Sequence, residues 1–189
     1  MNIGVLALQG DFAEHIKTLQ KLGVKAKEVR LPIDLKKLHG LIIPGGESTT
    51  ITNLMQKYAL GNAIKKAHKK GMAVFGSCAG AIIVSKKILH DKKVKPLGLI
   101  DIEVERNAYG RQVDSFEAEL KLQGQKDFFH ASFIRAPIIK KTGKGVKILC
   151  VHENKPVLVQ QGNVLAGTFH TELSGETIVH EVFLGMIKK

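Results

Sequence analysis

Two periods of apolar spacing alternate along the first half of the chain. "MNIGVLALQG" has an unbroken apolar centre closed by a glycine, the pattern of a strand buried on both faces. "DFAEHIKTLQKLG" then places Phe12, Ile16, Leu19 and Leu22 at helical intervals, predicting an amphipathic helix. "AKEVRL" and "GLIIPGG" predict two more strands around a short connection, and "STTITNLMQKYALGNAIKKAHKKG" predicts helix with a break near Gly61. "MAVFGSCAGAIIVSKK" reads as a strand, a sharp turn and a helix. From "LIDIEVERNAY" through "VKILCVHENKPVLVQQGNVLAGTFH" the spacing becomes strand-like, with glycine and lysine turns, and predicts antiparallel additions to the sheet. "TIVHEVFLGMIKK" returns to helical spacing and is expected to pack Ile178, Val182, Phe183 and Met186 against the sheet.

Alternating β and α units imply an α/β fold in three layers, a mainly parallel central sheet with helices on both faces and added antiparallel strands. Sites in such folds form at the carboxyl ends of the strands. With 189 residues, no linker and no repeat, residues 1–189 are expected to form one domain. No apolar run reaches the length of a membrane span and no leader pattern opens the chain, so a cytoplasmic protein with free thiols is expected.

Lys and Arg outnumber Asp and Glu by 29 to 17, a net charge of +12 that raises the question of nucleic acid. The lysines come in short groups on helix faces and loops, with two Tyr, no Trp, no aromatic platform and no zinc-type spacing. Solvated lysine-rich faces account for that pattern, and no nucleic acid, membrane, metal or cofactor is expected.

The chemistry concentrates in "FGSCAGAII", where Gly76 and Gly80 flank Cys78 as GxCxG, the thiol counterpart of a nucleophile elbow. Small neighbours permit the tight turn, and amide N–H groups of the following helix favour a thiolate. A buried structural cysteine would fit the same nonapeptide, so the reading needs a base. Of eight histidines, His170 in "GTFHTEL" has Glu172 two positions on, on the same face of an extended chain. A carboxylate there holds one imidazole tautomer and stabilises the imidazolium. Cys150 lies in an alternating apolar strand and reads as core. "LIIPGGESTT" ends another strand in glycines, and there Gly46, with the amide of Ala79, is the candidate oxyanion hole.

Together "GSCAG", "FHTE" and "PGGES" resemble the triad-type (class I) glutamine amidotransferases, a flavodoxin-like α/β family whose cysteine attacks the side-chain amide of glutamine. "IGVLALQGDFAEH", "PGGESTT", "VERNAYGRQVDSFEAEL" and "FIRAP" resemble the glutaminase branch that serves pyridoxal 5′-phosphate synthase. The resemblance implies Cys78 as nucleophile, His170 as acid and base, Glu172 as its orienting partner, and L-glutamine held by Gly46, Glu47, Ser48, Arg106, Ile134 and Arg135. It also implies a synthase subunit as protein partner that receives the ammonia; a glutaminase for a different ammonia-accepting synthase is the alternative. Ser77 stands where the family usually has Thr, and Thr171 where Pro is usual, a change expected to loosen the hold on Glu172.

Overall fold

The computed structural model describes residues 1–106 and 115–187. Strand β1 (Asn2–Leu6), helix α1 (Phe12–Lys21) and β2 (Lys25–Val29) form the first unit, followed by a 3-10 turn at Pro32–Leu35 and β3 (Gly40–Ile43). Helices α2 (Ser48–Lys57) and α3 (Leu60–Lys69) lead to β4 (Ala73–Ser77) and the short α4 (Ala79–Val84). Strands β5 (Ser85–Leu89), β6 (Ile100–Glu105), β7 (Phe116–Lys121), β8 (Phe128–Phe133), β9 (Ile138–Thr142), β10 (Lys147–His152), β11 (Lys155–Gln161) and β12 (Val164–Gly167) follow, and α5 (Ile178–Gly185) closes the described fold.

The central sheet has the order β10-β11-β12-β4-β3-β1-β2. Five of its strands, β12, β4, β3, β1 and β2, run parallel, while β10 and β11 add antiparallel pairs at one edge. Successive residues serve opposite faces: Leu41 and Ile43 join the core under α2, α3 and α4, whereas Ile42 joins the core under α1 and α5. This two-sided burial explains the unbroken apolar runs. None of the described helices is long and apolar enough to cross a membrane.

The helix breaks near Gly61 as expected, at Ala59, whose φ of 55° is left-handed, with Gly61 itself inside α3. Fully buried Leu60 anchors the first turn of α3, so packing, not the glycine, sets the boundary. Two other expectations need correction. The helix after Cys78 stops at Val84, because Ser85 turns extended and its hydroxyl donates to the Ile82 carbonyl at 2.7 Å. Of the added strands, only β10 and β11 extend the central sheet antiparallel; β5, β6 and β9 form a separate three-stranded sheet, and β7 and β8 a hairpin. In α5 the expected packing holds: Phe183 is buried and Ile178, Val182 and Met186 pack half-buried against the same core, with Val179 and His180 also facing inward.

Candidate active site

Cys78 stands between β4 and α4 with φ 48° and ψ −102°, a strained conformation for a residue with a side chain. The flanking glycines make this turn possible. A Cβ on Gly80 would lie 2.0 Å from the Ile43 carbonyl oxygen, and one on Gly76 would lie 2.4 Å from that of Gly80. The Cys78 N–H donates to Gly167 O at 2.8 Å, tying the elbow to β12, and Ser77 Oγ donates to Phe169 O at 3.1 Å. Ser77 therefore anchors the same end of the sheet.

His170 follows β12, its backbone paired with Ser132 of β8 in both directions. Gly45 leaves space for its ring, since a Cβ there would approach His170 Cε1 to 2.3 Å. The ring's Nδ1 donates to Glu172 Oε1 at 2.6 Å, which directs Nε2 to the thiol side. Burial alone would lower the His170 pKa, but hydrogen bonding to Cys78 and Glu172 and their negative charge outweigh it and push it up to about 11. Glu172 is itself buried, which opposes ionisation, yet His15 and His170 hold its carboxyl well below the ordinary range. The Thr171 N–H adds a bond to Glu172 Oε2 at 3.0 Å. A proline at 171 has no N–H to give. The departure from the family pattern therefore supplies a hold on Glu172, contrary to the expected loosening.

A cleft of about 440 Å³ opens over Cys78 and is lined by Gly46, Glu47, Ser48, Ala79, Arg106, Ile134, Arg135 and His170. All the residues singled out from the sequence meet here except Glu172, which lies behind His170. Glu47 does not project freely: its carboxylate caps α2, accepting from Thr49 N at 3.0 Å and Thr50 N at 2.6 Å. Burial opposes ionisation, but those N–H groups lower its pKa to about 2. Arg106 is engaged as well, pairing with Asp91 through one nitrogen and with Glu47 Oε1 at 3.3 Å through the other. The Ile134 carbonyl faces Cys78 Sγ at 3.9 Å, and Arg135, with φ 46°, turns at the rim. Most of the block that follows Arg106 in the sequence, residues 107–114, lies outside the described residues.

Sequence reasoning missed Gln9, Asp11, Leu173 and Asp91. Gln9, Asp11 and Leu173 line the cleft, and Asp11 Oδ2 lies 3.8 Å from His170 Nδ1. The glycines of "LQGD" and "PGGE" were the available signal: a Cβ on Gly10 would lie 1.8 Å from Gly45 O, so these two loops must touch.

A family model described as the SNO glutamine amidotransferase family matches residues 5–189. The chain belongs to this family. Pyridoxal 5′-phosphate synthase subunit PdxT of Thermosipho africanus is 49% identical over 189 residues, 100% of both chains. Its counterpart from Thermus thermophilus is 50% identical over 183 residues, covering 96% of this chain and 95% of that one. A crystal structure described as a glutamine amidotransferase superposes with a TM-score of 0.93 at 47% identity, covering 98% of each chain. The PurLQS structure from Thermotoga maritima, at 17% identity and a TM-score of 0.69 over 99% of this chain and 98% of that one, shares the fold.

Proposed function

We propose that this amidotransferase, a single glutaminase domain working in the cytoplasm, hydrolyses L-glutamine and delivers the ammonia to the synthase subunit of a pyridoxal 5′-phosphate synthase. The observation that carries the reading is His170 held between Cys78 and the buried Glu172 in a cleft sized for an amino acid, in a chain about half identical to PdxT proteins over full length.

The Cys78 thiolate attacks the side-chain amide carbon of glutamine, and charge passes to the amide oxygen. The N–H groups of Ala79 and Gly46 are the assigned donors for that oxyanion. His170, as imidazolium, gives its proton to the amide nitrogen; the C–N bond breaks, ammonia leaves and a glutamyl thioester remains. Neutral His170 then takes a proton from water, whose hydroxyl attacks the thioester carbon. Collapse releases glutamate and returns the thiolate. Glu172 stabilises each imidazolium without taking the proton. Arg106 and Arg135 hold the α-carboxylate end of the substrate, and Glu47, Ser48 and the Ile134 backbone complete the pocket.

The test is glutamate release by the chain assembled with its synthase subunit. Cys78→Ala should bind glutamine yet form neither thioester nor glutamate, whereas release at the wild-type rate would remove Cys78 as nucleophile.

A further inference from the structure

Two histidines without a step in this reaction lie beneath the triad. His15 of α1 and His180 of α5 are both 0% exposed, in a core formed by α1, α5 and the sheet. His15 Nδ1 is 2.9 Å from His180 Nε2, and His15 Nε2 is 3.3 Å from Glu172 Oε1, too oblique for a full hydrogen bond. Phe75 meets both rings edge-on, at 6.0 Å from His15 and 5.9 Å from His180. Among the described residues, the titratable groups bonded to or paired with these imidazoles are each other and Glu172.

Burying a polar ring in an apolar core is unfavourable unless a partner compensates it, and here two are buried in sequence. Their common end point is a carboxylate that must remain charged while excluded from water. His170 Nδ1–H and Thr171 N–H each occupy one site on Glu172, on opposite oxygens. His15 Nε2 stands 3.3 Å from Oε1, the oxygen that also accepts from His170.

Resting on the triad reading above, we propose that His15 and His180 are positioning residues: a buried donor chain, His180 Nε2–H to His15 Nδ1 and His15 Nε2–H toward Glu172 Oε1, that keeps Glu172 ionised and aimed at His170. The direction follows from what each arrangement leaves unpaired. In this one, both histidines are neutral; of the two atoms without a full hydrogen bond, His15 Nε2–H still lies 3.3 Å from a carboxylate oxygen and His180 Nδ1 is a bare lone pair. Were His15 doubly protonated, it would donate to His180 Nε2 and force a buried N–H without an acceptor onto His180 Nδ1, the costlier orphan. Burial also holds the His180 pKa down at about 3, which keeps that ring neutral. His180 thus selects the tautomer of His15, as an outer hydrogen bond selects that of a metal-bound imidazole. Helix α5 is thereby joined to the triad from the far side of the cleft.

The experiment measures glutamate release by the complex with its synthase subunit, alongside 15N NMR of the unmodified chain. His15→Leu should lower kcat roughly ten- to hundredfold with KM within about twofold, and His15→Gln, which restores an N–H on that side, should recover most of the loss. His180→Phe keeps an aromatic ring against Phe75 and should lower kcat by less, again at constant KM. The 15N shifts should report a neutral His180 bearing its proton on Nε2 at pH 7. Unchanged kcat in both His15→Leu and His180→Phe would overturn the proposal, as would a loss that His15→Gln does not restore. If the variants do not fold, the tautomer decides: a charged His180, or one protonated only on Nδ1, refutes the chain. Wild-type complex that releases no glutamate would refute the triad reading instead, and the tautomer measurement stands apart from that outcome.

Discussion

Glu172→Gln removes one charge from the buried end of the triad while nearly preserving its shape. Against the opposing effect of burial, hydrogen bonds to Cys78 and Glu172 and their charge push the His170 pKa up to about 11, a preference for the imidazolium that rests on both partners. Glu172 is one of the two sources of that preference, and neutralising the orienting acid of such a triad lowers turnover by up to about 10⁴-fold. The amide adds a second penalty. Its oxygen can accept from His170 Nδ1–H only by turning its NH2 toward the Thr171 N–H, two donors facing each other where Glu172 Oε2 accepts at 3.0 Å. We therefore expect kcat to fall by about 10² to 10⁴ with KM unchanged. In the proposed reaction the imidazolium is the proton donor, and losing the anion beside it weakens its hold on that proton. The alkaline limb of the kcat profile must then move to lower pH. Linkage adds a check on stability: the Glu172 pKa is depressed in the folded state, so its contribution is present above the unfolded value near 4.5 and is lost as pH falls toward the lower folded value. Wild type should lose part of its advantage over the variant in acid. Initial rates of glutamate release from pH 5 to 11, with urea melts at pH 7 and pH 3, test all three. A kcat within threefold of wild type, or a limb moving upward, would refute the reasoning.

Arg106→Ala or Arg135→Ala should raise the glutamine KM at least tenfold with kcat within about threefold, since the proposed role of these groups is to hold the part of the substrate that does not react; a glutamine titration of each variant measures it. Gly80→Ala places a methyl 2.0 Å from a backbone oxygen, so the elbow must open; we expect a loss of roughly 3 kcal/mol or more and a Tm lower by about 10 °C, read by calorimetry. Adding the synthase subunit should accelerate glutamate release at saturating glutamine through kcat, and equal rates with and without it would exclude activation by docking.

What was legible in the sequence is what local sterics dictate. Gly76 and Gly80 were readable because a turn that tight excludes a Cβ on either side of Cys78, and His170 with Glu172 because two positions along an extended chain share a face. Apolar runs marked the parallel strands because both sides of the sheet are covered. Strand periodicity says nothing about which sheet a strand joins, so the separation of β5, β6 and β9 from the central sheet was hidden. Asp91 was hidden too: it precedes Arg106 by 15 positions and meets it only because the β5–β6 connection returns to the end of β6. His15 falls on the apolar stripe of α1, three positions after Phe12 and four before Leu19, so its burial follows the helical period, but its partner His180 is 165 residues away and local spacing says nothing of that pairing.

The same loop contacts bear on how a partner could control the reaction. The Glu47 N–H, beside the assigned oxyanion donor Gly46, donates to Gln9 Oε1 at 2.7 Å, and Asp11 N–H donates to Gly45 O at 3.2 Å. The β1–α1 loop thus holds the glycine loop in one conformation through two hydrogen bonds near the cleft. Gly46 has φ 147°, a region open to glycine, so its peptide can turn with little steric resistance once Gln9 is displaced. A net hydrogen bond is worth about 1 kcal/mol, whereas one oxyanion donor is worth about 3 kcal/mol in the transition state. A docking protein that removes the first to gain the second exchanges a small ground-state cost for about 10²-fold in turnover. Because the α-carboxylate and α-ammonium sites are not part of that exchange, glutamine affinity should hardly change, which is why activation is expected in kcat and not in KM.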